Sequence, residues 1–144
     1  MREAAPALGL QIQVVNASTI GEINAAFAVL VRERADALFV TGDAFFTSRR
    51  VQLVTLAARD RIPAASVERE FPVAGGLMGY GTSLTDASRQ IGVYTGNILK
   101  GAKPVELPVQ QAVKFDFVIN RGTAMLLGIE VPPQLLAIAN EVIE

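Results

Sequence analysis

The sequence predicts an α/β fold, with a mostly parallel sheet flanked by helices, and three observations lead to that prediction. Strand-like and helix-like segments alternate along the first 70 residues, which is typical of a right-handed parallel α/β layer. Of the 144 residues, 51% are hydrophobic and 19% are charged, so a large part of the chain must be buried. Residues 37–40 form an uninterrupted apolar run, as in a strand that helices cover on both faces.

Three strands and two helices are predicted before residue 70. Residues 8–16 alternate between apolar and polar side chains, which indicates a strand, and Ser18 or Thr19 can cap the helix that follows. Glu22 falls in the first turn of that helix, where the helix dipole favours a negative charge. The predicted order is strand 8–16, helix 22–34, strand 37–40, helix 48–60 and strand 62–67.

The pattern changes after Glu68. Residues 71–76 are predicted to be a crossing loop, and residues 77–80 a short Gly-rich strand. Gly101 suits the left-handed position after a helix that starts at Thr82, Ser83 or Thr85. The remaining predictions are that helix to residue 99, an extended return over 102–112, a strand over 115–119, a helix over 123–127 and a terminal helix over 133–142. The two stiff crossings, near 68–75 and 102–112, suggest that residues 76–101 belong to a different lobe.

Residue types that are missing exclude several kinds of chemistry. The chain has no Cys and no His, which excludes disulfides, thiolate metal sites and Ser-His-Asp or Cys-His catalysis. The acidic residues do not have the spacing of a calcium loop. A formal net charge of −1, few aromatic residues and no Trp argue against a nucleic-acid partner. We therefore predict no metal, no cofactor and no nucleic-acid binding.

Candidate ligand-binding residues follow the predicted strands. Asp43 comes directly after the most buried strand, and ligands of open α/β sheets bind at that edge. It can receive an ammonium or another donor group of a ligand, or it can cap the next helix. Asn16 and Ser18 end the first strand, and Ser66 and Glu68 end the third. These side chains are turn or cap residues, or they form a polar rim around a ligand.

Other residue groups have competing interpretations. The glycines at 75, 76, 79 and 81 do not have the spacing of a phosphate-binding loop, so we expect them to allow close backbone approach. Asp43 with Glu68 and Glu70 could act as paired carboxylates in a small α/β enzyme, but the sequence does not fix their separation. Arg49 and Arg50 are interpreted as a solvated helix end.

A resemblance to a known family extends over essentially the whole chain. Its most specific segments are Gly75-Gly76-Leu77-Met78-Gly79-Tyr80-Gly81, Leu99-Lys100-Gly101-Ala102-Lys103-Pro104 with Leu107-Pro108-Val109, and Phe117-Val118-Ile119-Asn120. In order and spacing they resemble the C-terminal half of an ABC-transporter substrate-binding protein, of the type associated with tryptophan and related small ligands. The resemblance implies an incomplete lobe of the periplasmic-binding-protein-like type I fold.

The same resemblance implies a domain layout and a function. Residues 1–70 and 113–144 would form the second lobe, and residues 71–112 the hinge crossings and a segment that returns to the first lobe. A non-enzymatic protein of this kind traps a small organic ligand, such as an amino acid, between its lobes and delivers it to a membrane permease. Asp43 would receive a cationic group, Phe45 or Tyr80 would supply an aromatic face, and Asn16, Ser66 and Glu68 would complete the site. A ligand-sensing domain of a transcriptional regulator shares the architecture and is an alternative.

The chain departs from that family in one respect. The first lobe and the first strand of the second lobe have no counterpart here, and residues 1–6 do not resemble the export signal expected for a periplasmic or membrane-anchored protein. We therefore expect a fragment whose 76–101 segment exposes an apolar face. Association follows as an expectation, for example a homodimer formed by swapping that segment.

Overall fold

The structure, a computed structural model, describes residues 5–109, 111 and 113–144. These residues form two compact units, of which the first ends at Arg34 and the second runs from Ala35 to Glu144. Residues 1–4, 110 and 112 lie outside the description, so the predictions for the chain start and for the 102–112 return are only partly covered.

The first unit is built on one helix, α1 (Ile20–Arg32). Its first turn is closed by two reciprocal contacts, because Thr19 accepts from the Glu22 N–H and the Glu22 carboxylate accepts from the Ser18 N–H and hydroxyl. The Ser18 hydrogen bonds lower the pKa of Glu22 below its ordinary value. Ile23, Phe27 and Leu30 are buried at helical spacing, as the apolar stripe predicts.

The predicted strand over residues 8–16 is wrong. A short 3₁₀ turn, Pro6–Leu8, ends at Gly9, whose φ of 68° is a conformation that glycine adopts readily, and residues 9–16 form no strand. Apolar alternation defines two faces, but a strand also needs a neighbour that completes its hydrogen-bond ladder. The described part of the first unit contains no strand.

The second unit contains a five-stranded sheet in the order β1-β2-β3-β4-β5. The strands are β1 (Leu38–Val40), β2 (Ala64–Ser66), β3 (Met78–Thr82), β4 (Phe115–Asn120) and β5 (Glu141–Ile143). Three of the four pairings are parallel and the β3–β4 pairing is antiparallel, which confirms the predicted mostly parallel α/β sheet. Val118 and Ile119, in the middle of strand β4, are almost completely buried.

Six helices accompany the sheet within the described part of the second unit. They are α2 (Ala44–Ser48), α3 (Arg50–Asp60), α4 (Glu70–Val73), α5 (Leu84–Leu99), α6 (Arg121–Leu127) and α7 (Pro133–Ile138). Asn120 ends β4 and caps α6, since its side-chain oxygen accepts from the Thr123 N–H and its amide donates to the Pro72 carbonyl. Gly101 has a φ of 102°, as predicted for the residue after α5.

Four further predictions need correction. The helix predicted over 48–60 begins earlier, at Ala44, and is interrupted at Arg49, where φ is −108° and ψ is 12°. Residues 71–76 are not only a loop, because α4 buries Phe71 and Pro72. Strand β1 is not covered on both faces, since 42% of Phe39 is exposed.

The terminal helix is also shorter than predicted, and its end is replaced by β5. Asn140 exchanges hydrogen bonds with Phe117, because its backbone N–H donates to the Phe117 carbonyl and its side-chain oxygen accepts from the Phe117 N–H. These contacts align the following residues with β4, where Glu141 pairs with Val118. Tertiary hydrogen bonding thus overrides the local helical pattern.

The Gly-rich segment permits close packing between β3 and the connection that follows β2. A Cβ on Gly79 would lie 2.5 Å from the Glu68 carbonyl oxygen, and a Cβ on Gly81 would lie 2.0 Å from the Val67 carbonyl oxygen. A Cβ on Gly76 would lie 2.3 Å from the Phe71 ring. The expectation of close approach is confirmed for these three glycines but not for Gly75, whose added Cβ would lie 3.9 Å from the nearest atom, in Val54.

Helix α5 exposes most of its apolar residues. Asp86 is its only buried residue, whereas Leu84, Ile91, Val93, Ile98 and Leu99 are exposed. Asp86 contacts Gln90, Arg89 and Lys114, and the Ser83 N–H donates to the Lys114 carbonyl. The helix is thus attached to the start of β4 at its N-terminus, and association through its apolar face stays a prediction, as do the domain boundaries at 70 and 113.

We expect Gly81→Ala to destabilise the protein by at least ~1–3 kcal/mol, because the new methyl group would overlap the Val67 carbonyl. The control is Gly92→Ala in α5, where nothing lies within 4 Å of the new Cβ and the protein should gain roughly 0.5–1 kcal/mol. Urea unfolding of both variants measures the two free energies. Equal effects of the two substitutions would contradict the close approach.

We expect Asp86 to make stability depend on acid pH. Hydrogen bonds from Gln90 and Arg89, together with Lys114, lower the pKa of Asp86 below its ordinary value. Its stabilising contribution is therefore present above about pH 4, the pKa of an unperturbed Asp, and is lost as the pH falls through the folded-state pKa. Melting temperatures from neutral to acid pH should show a smaller decrease for Asp86→Asn than for the unchanged chain. A parallel decrease in both proteins would exclude this role for Asp86.

Candidate functional site

Asp43 and Glu68 are linked at the carboxyl edge of the sheet. Asp43 follows β1 and caps α2, since its Oδ1 accepts from the Phe45 N–H at 2.8 Å. Glu68 follows β2, and its Oε1 lies 2.5 Å from the Thr47 hydroxyl. The same hydroxyl lies 2.9 Å from the Asp43 carbonyl oxygen, so its single proton can be donated to one acceptor at a time. Thr47 therefore lies between the backbone of Asp43 and the carboxylate of Glu68.

Arg50 adds a positive charge to this polar site. It begins α3, is half-buried, and its Nη1 donates to the Thr47 carbonyl oxygen at 3.1 Å. No salt bridge among the described residues engages Asp43, Glu68 or Arg50. We call Asp43, Thr47, Arg50 and Glu68 the edge cluster, and it presents two carboxylates and one guanidinium at the same sheet edge.

Ser66 and Phe45 lie beside the edge cluster. Ser66 is the last residue of β2 and is buried, at the level of Gly79 in β3. Phe45 belongs to α2 and is half-buried, with its ring 5.6 Å from that of Phe46. Phe45 is therefore an aromatic neighbour of the cluster in sequence, and its ring contacts that of Phe46.

Tyr80 lies on the opposite face of the sheet. Strand residues alternate between faces, and the connection after β2 crosses the face of β3 to which Gly79 and Gly81 belong. Tyr80, between them, is 58% exposed on the other face, where its ring stacks on Phe115 at 5.8 Å and meets Phe117 edge-on at 5.8 Å. The structure thus does not bring Tyr80 into the edge cluster.

Asn16 belongs to the first unit, where it is exposed and lies in a segment without regular secondary structure. Of the six predicted site residues, the structure therefore places Asp43, Phe45, Ser66 and Glu68 together at the carboxyl edges of β1 and β2. Their roles in ligand binding stay predictions.

Sequence analysis missed Thr47 and Arg50. Thr47 lies one helical turn after the capping Asp43, a spacing at which a hydroxyl can reach the backbone of the cap residue. Arg50 was interpreted as part of a solvated helix end, but its hydrogen bond to Thr47 holds it half-buried. The position of Arg50 could not be found from spacing alone, because it depends on the interruption of the helix at Arg49.

A separate groove of about 540 Å³ lies at the other ends of the strands. Its lining includes Ile62 and Leu77, the residues that lead into β2 and β3, together with Arg61 and Leu126. It is therefore distinct from the edge cluster. The described residues contain no group of three or more acidic, His or Cys side chains that could hold a metal ion, and none of their helices is long and apolar enough to span a membrane.

Small ligands of open α/β sheets bind at the carboxyl edge, where this chain has its charged groups. Comparison with known families is more specific, because the model of the family described as ABC transporter substrate binding protein matches residues 1–143. The chain therefore belongs to the ABC transporter substrate-binding protein family. A search of curated proteins gives no match.

Solved structures agree with the family assignment. The chain is similar to an ABC domain from Streptococcus pneumoniae in complex with L-Trp, with 27% identity and a TM-score of 0.87 over 98% of this chain and 48% of that one. A conserved domain protein from Vibrio cholerae has 24% identity and a TM-score of 0.86, over 98% and 47% of the two chains. A ligand-free, open substrate-binding protein with adhesive properties from Clostridium difficile has 23% identity and a TM-score of 0.70, over 99% and 47%. The chain thus spans about half the length of these proteins.

We expect Asp43→Ala to destabilise the protein by ~1 kcal/mol, because α2 would lose its N-terminal cap. Asp43→Asn retains a side-chain oxygen that can accept from Phe45 and should cost less, although it removes the negative charge. The two variants separate the cap from the charge, and chemical unfolding measures the difference. If Asn is as destabilising as Ala, the charge rather than the cap stabilises this edge.

Proposed function

We propose that the chain is part of the solute-binding component of an ABC-type transport system. It would bind a small organic ligand, such as an amino acid, in a cleft between lobes for delivery to a membrane permease. The observation that carries the proposal is the edge cluster, in which two carboxylates without a salt bridge among the described residues lie at the sheet edge of a substrate-binding-family fold. The Streptococcus pneumoniae structure in complex with L-Trp supports the amino-acid class.

In this proposal the carboxylates of Asp43 and Glu68 receive the ammonium group. Asp43 uses one oxygen for its cap and Glu68 accepts from Thr47, and each carboxylate has further lone pairs for a ligand donor. Phe45, at the same edge, supplies an apolar surface, and closure of the lobes would exclude water. Ser66 lines the edge beside them. Tyr80 would reach the ligand only from the other face of the sheet.

The partners and location follow from the family. Its members are typically extracytoplasmic and hand their ligand to a permease, and we extend both properties to the protein that contains this chain. Family membership also favours a binding role over catalysis, because the edge cluster needs only to hold a charged ligand.

The proposal predicts ligand-dependent stability. A thermal-shift screen of the chain, beside the full-length gene product that contains it, should show higher melting temperatures with amino acids, since a ligand that binds only the folded state stabilises it. Glu68→Gln should weaken binding about tenfold, as expected for a lost charged hydrogen bond. Glu70→Gln, an exposed residue of α4, is the matched control and should bind as the unchanged protein does.

Two results would contradict the proposal. One is that no amino acid stabilises either protein, and the other is that Glu68→Gln and Glu70→Gln bind equally well. Stabilisation of the longer protein alone would show that the edge cluster needs contacts from the rest of that protein. Stabilisation of both would place the main ligand contacts in these 144 residues.

A further inference from the structure

We propose that Arg50 binds the carboxylate of a free α-amino acid while Glu68 binds its ammonium group, so that the site selects ligands with both groups unblocked. The inference rests on the proposed function and adds to it a residue role and a substrate class. Its basis is the position of the two opposite charges around one residue, Thr47.

A hydrogen bond to the backbone of Thr47 orients Arg50. Its Nη1 donates to the Thr47 carbonyl oxygen at 3.1 Å, and the side chain is half-buried. A guanidinium group has five N–H donors in a planar fork, and this hydrogen bond uses one of them. The remaining donors suit a carboxylate, which guanidinium groups bind with two parallel hydrogen bonds.

Glu68 contacts Thr47 from the other side. Its Oε1 lies 2.5 Å from the Thr47 hydroxyl, whereas Oε2 is not used by that contact. Glu68 is half-buried, in the connection that lies against β3. The carboxylate is thus fixed at the sheet edge with lone pairs left for an ammonium donor.

The two charges do not neutralise each other. No salt bridge joins Arg50 to Glu68 or to Asp43 in the described chain, although Arg50 and Glu68 contact the carbonyl and the hydroxyl of the same residue. An α-amino acid carries a carboxylate and an ammonium on one carbon atom. Its charge pair therefore complements two fixed, unpaired opposite charges that lie around a single residue, and an amine or an acid alone would satisfy only one of them.

Arg49 provides a matched control for Arg50. Both are arginines at the junction of α2 and α3, but Arg49 is exposed and makes no side-chain hydrogen bond or salt bridge among those found in the described residues. A general effect of positive charge at this junction would appear in both Arg49→Gln and Arg50→Gln. A contact with the ligand carboxylate would appear in Arg50→Gln alone.

The test uses three indole compounds that differ only in their charged groups, namely L-tryptophan, tryptamine and indole-3-propionate. In measurements on the chain, which has no Trp, indole emission comes from the ligand alone and reports its binding directly. Titration calorimetry measures binding to the longer protein. Binding is measured in the chain and in the full-length gene product. We expect Arg50→Gln to weaken L-tryptophan binding at least about tenfold, as for a lost charge-assisted pair, and to leave tryptamine binding unchanged. Arg49→Gln should change neither, and Glu68→Gln should weaken L-tryptophan and tryptamine.

The possible failures are distinguishable. If the unchanged protein binds neither L-tryptophan nor any other amino acid of the thermal-shift screen, the proposed function fails and this inference with it. If it binds L-tryptophan and Arg50→Gln binds it equally well, this inference alone fails. Equal weakening of L-tryptophan and tryptamine by Arg50→Gln would assign Arg50 a structural role and would also overturn the inference. Arg50→Lys, which keeps the charge without the planar fork, should bind L-tryptophan more tightly than Arg50→Gln does.

Discussion

The close approach of the Val67–Glu68 backbone to β3 is the constraint on which the edge cluster depends. The two carbonyl oxygens occupy the space where side chains at Gly79 and Gly81 would begin. Ser66, the last residue of β2, pairs with Gly79, and the chain after it continues across this face of β3. The connection after β2 packs closely against β3, and its residue Glu68 contacts the Thr47 hydroxyl of α2. The glycines therefore influence the edge cluster through the backbone that packs on them.

The short helix α2 connects Glu68 to Asp43 and Arg50, the other charged residues of the edge cluster. Asp43 fixes its beginning, and Thr47 at its end contacts both the Asp43 carbonyl and Glu68. The interruption at Arg49 then reorients the chain, so that α3 begins with Arg50 beside the Thr47 carbonyl. A continuous helix through this region would place residues 47 and 50 on one face at ordinary spacing and would leave their backbone groups bonded within the helix. The break makes the Thr47 carbonyl available to Arg50.

The sequence predicts the parallel α/β layer and the placement of Asp43 and Glu68 at one edge, because both follow from local pattern and from the direction of parallel strands. It does not predict that Tyr80 lies on the opposite face, since this depends on the pairing of Tyr80 with Phe117 across an antiparallel ladder. The sequence does not predict strand β5 for a similar reason. Residues 133–142 have a helical pattern, and the contacts between Asn140 and Phe117 interrupt the helix. Residues 8–16 show the reverse case, in which a strand pattern lacks a ladder partner. The periodicity of a sequence shows which residues share one face of a strand or helix. Pairing with a neighbouring strand determines whether a strand forms and which face of the sheet each residue occupies.

The openness of the site determines how its charges act. Asp43 is exposed, and Glu68 and Arg50 are half-buried, so water screens their attraction for a ligand in this chain alone. Exposed ion pairs contribute only about 0–1 kcal/mol, whereas the same groups contribute more once water is excluded. Since the chain spans about half of its structural neighbours, contacts on the far side of a ligand would come from outside these residues. Absolute affinity is therefore a poor measure of what the edge cluster does. A better measure is the ratio of the affinities for ligands that share a ring and differ in charge. Burial of the ring contributes equally to each affinity and cancels in the ratio.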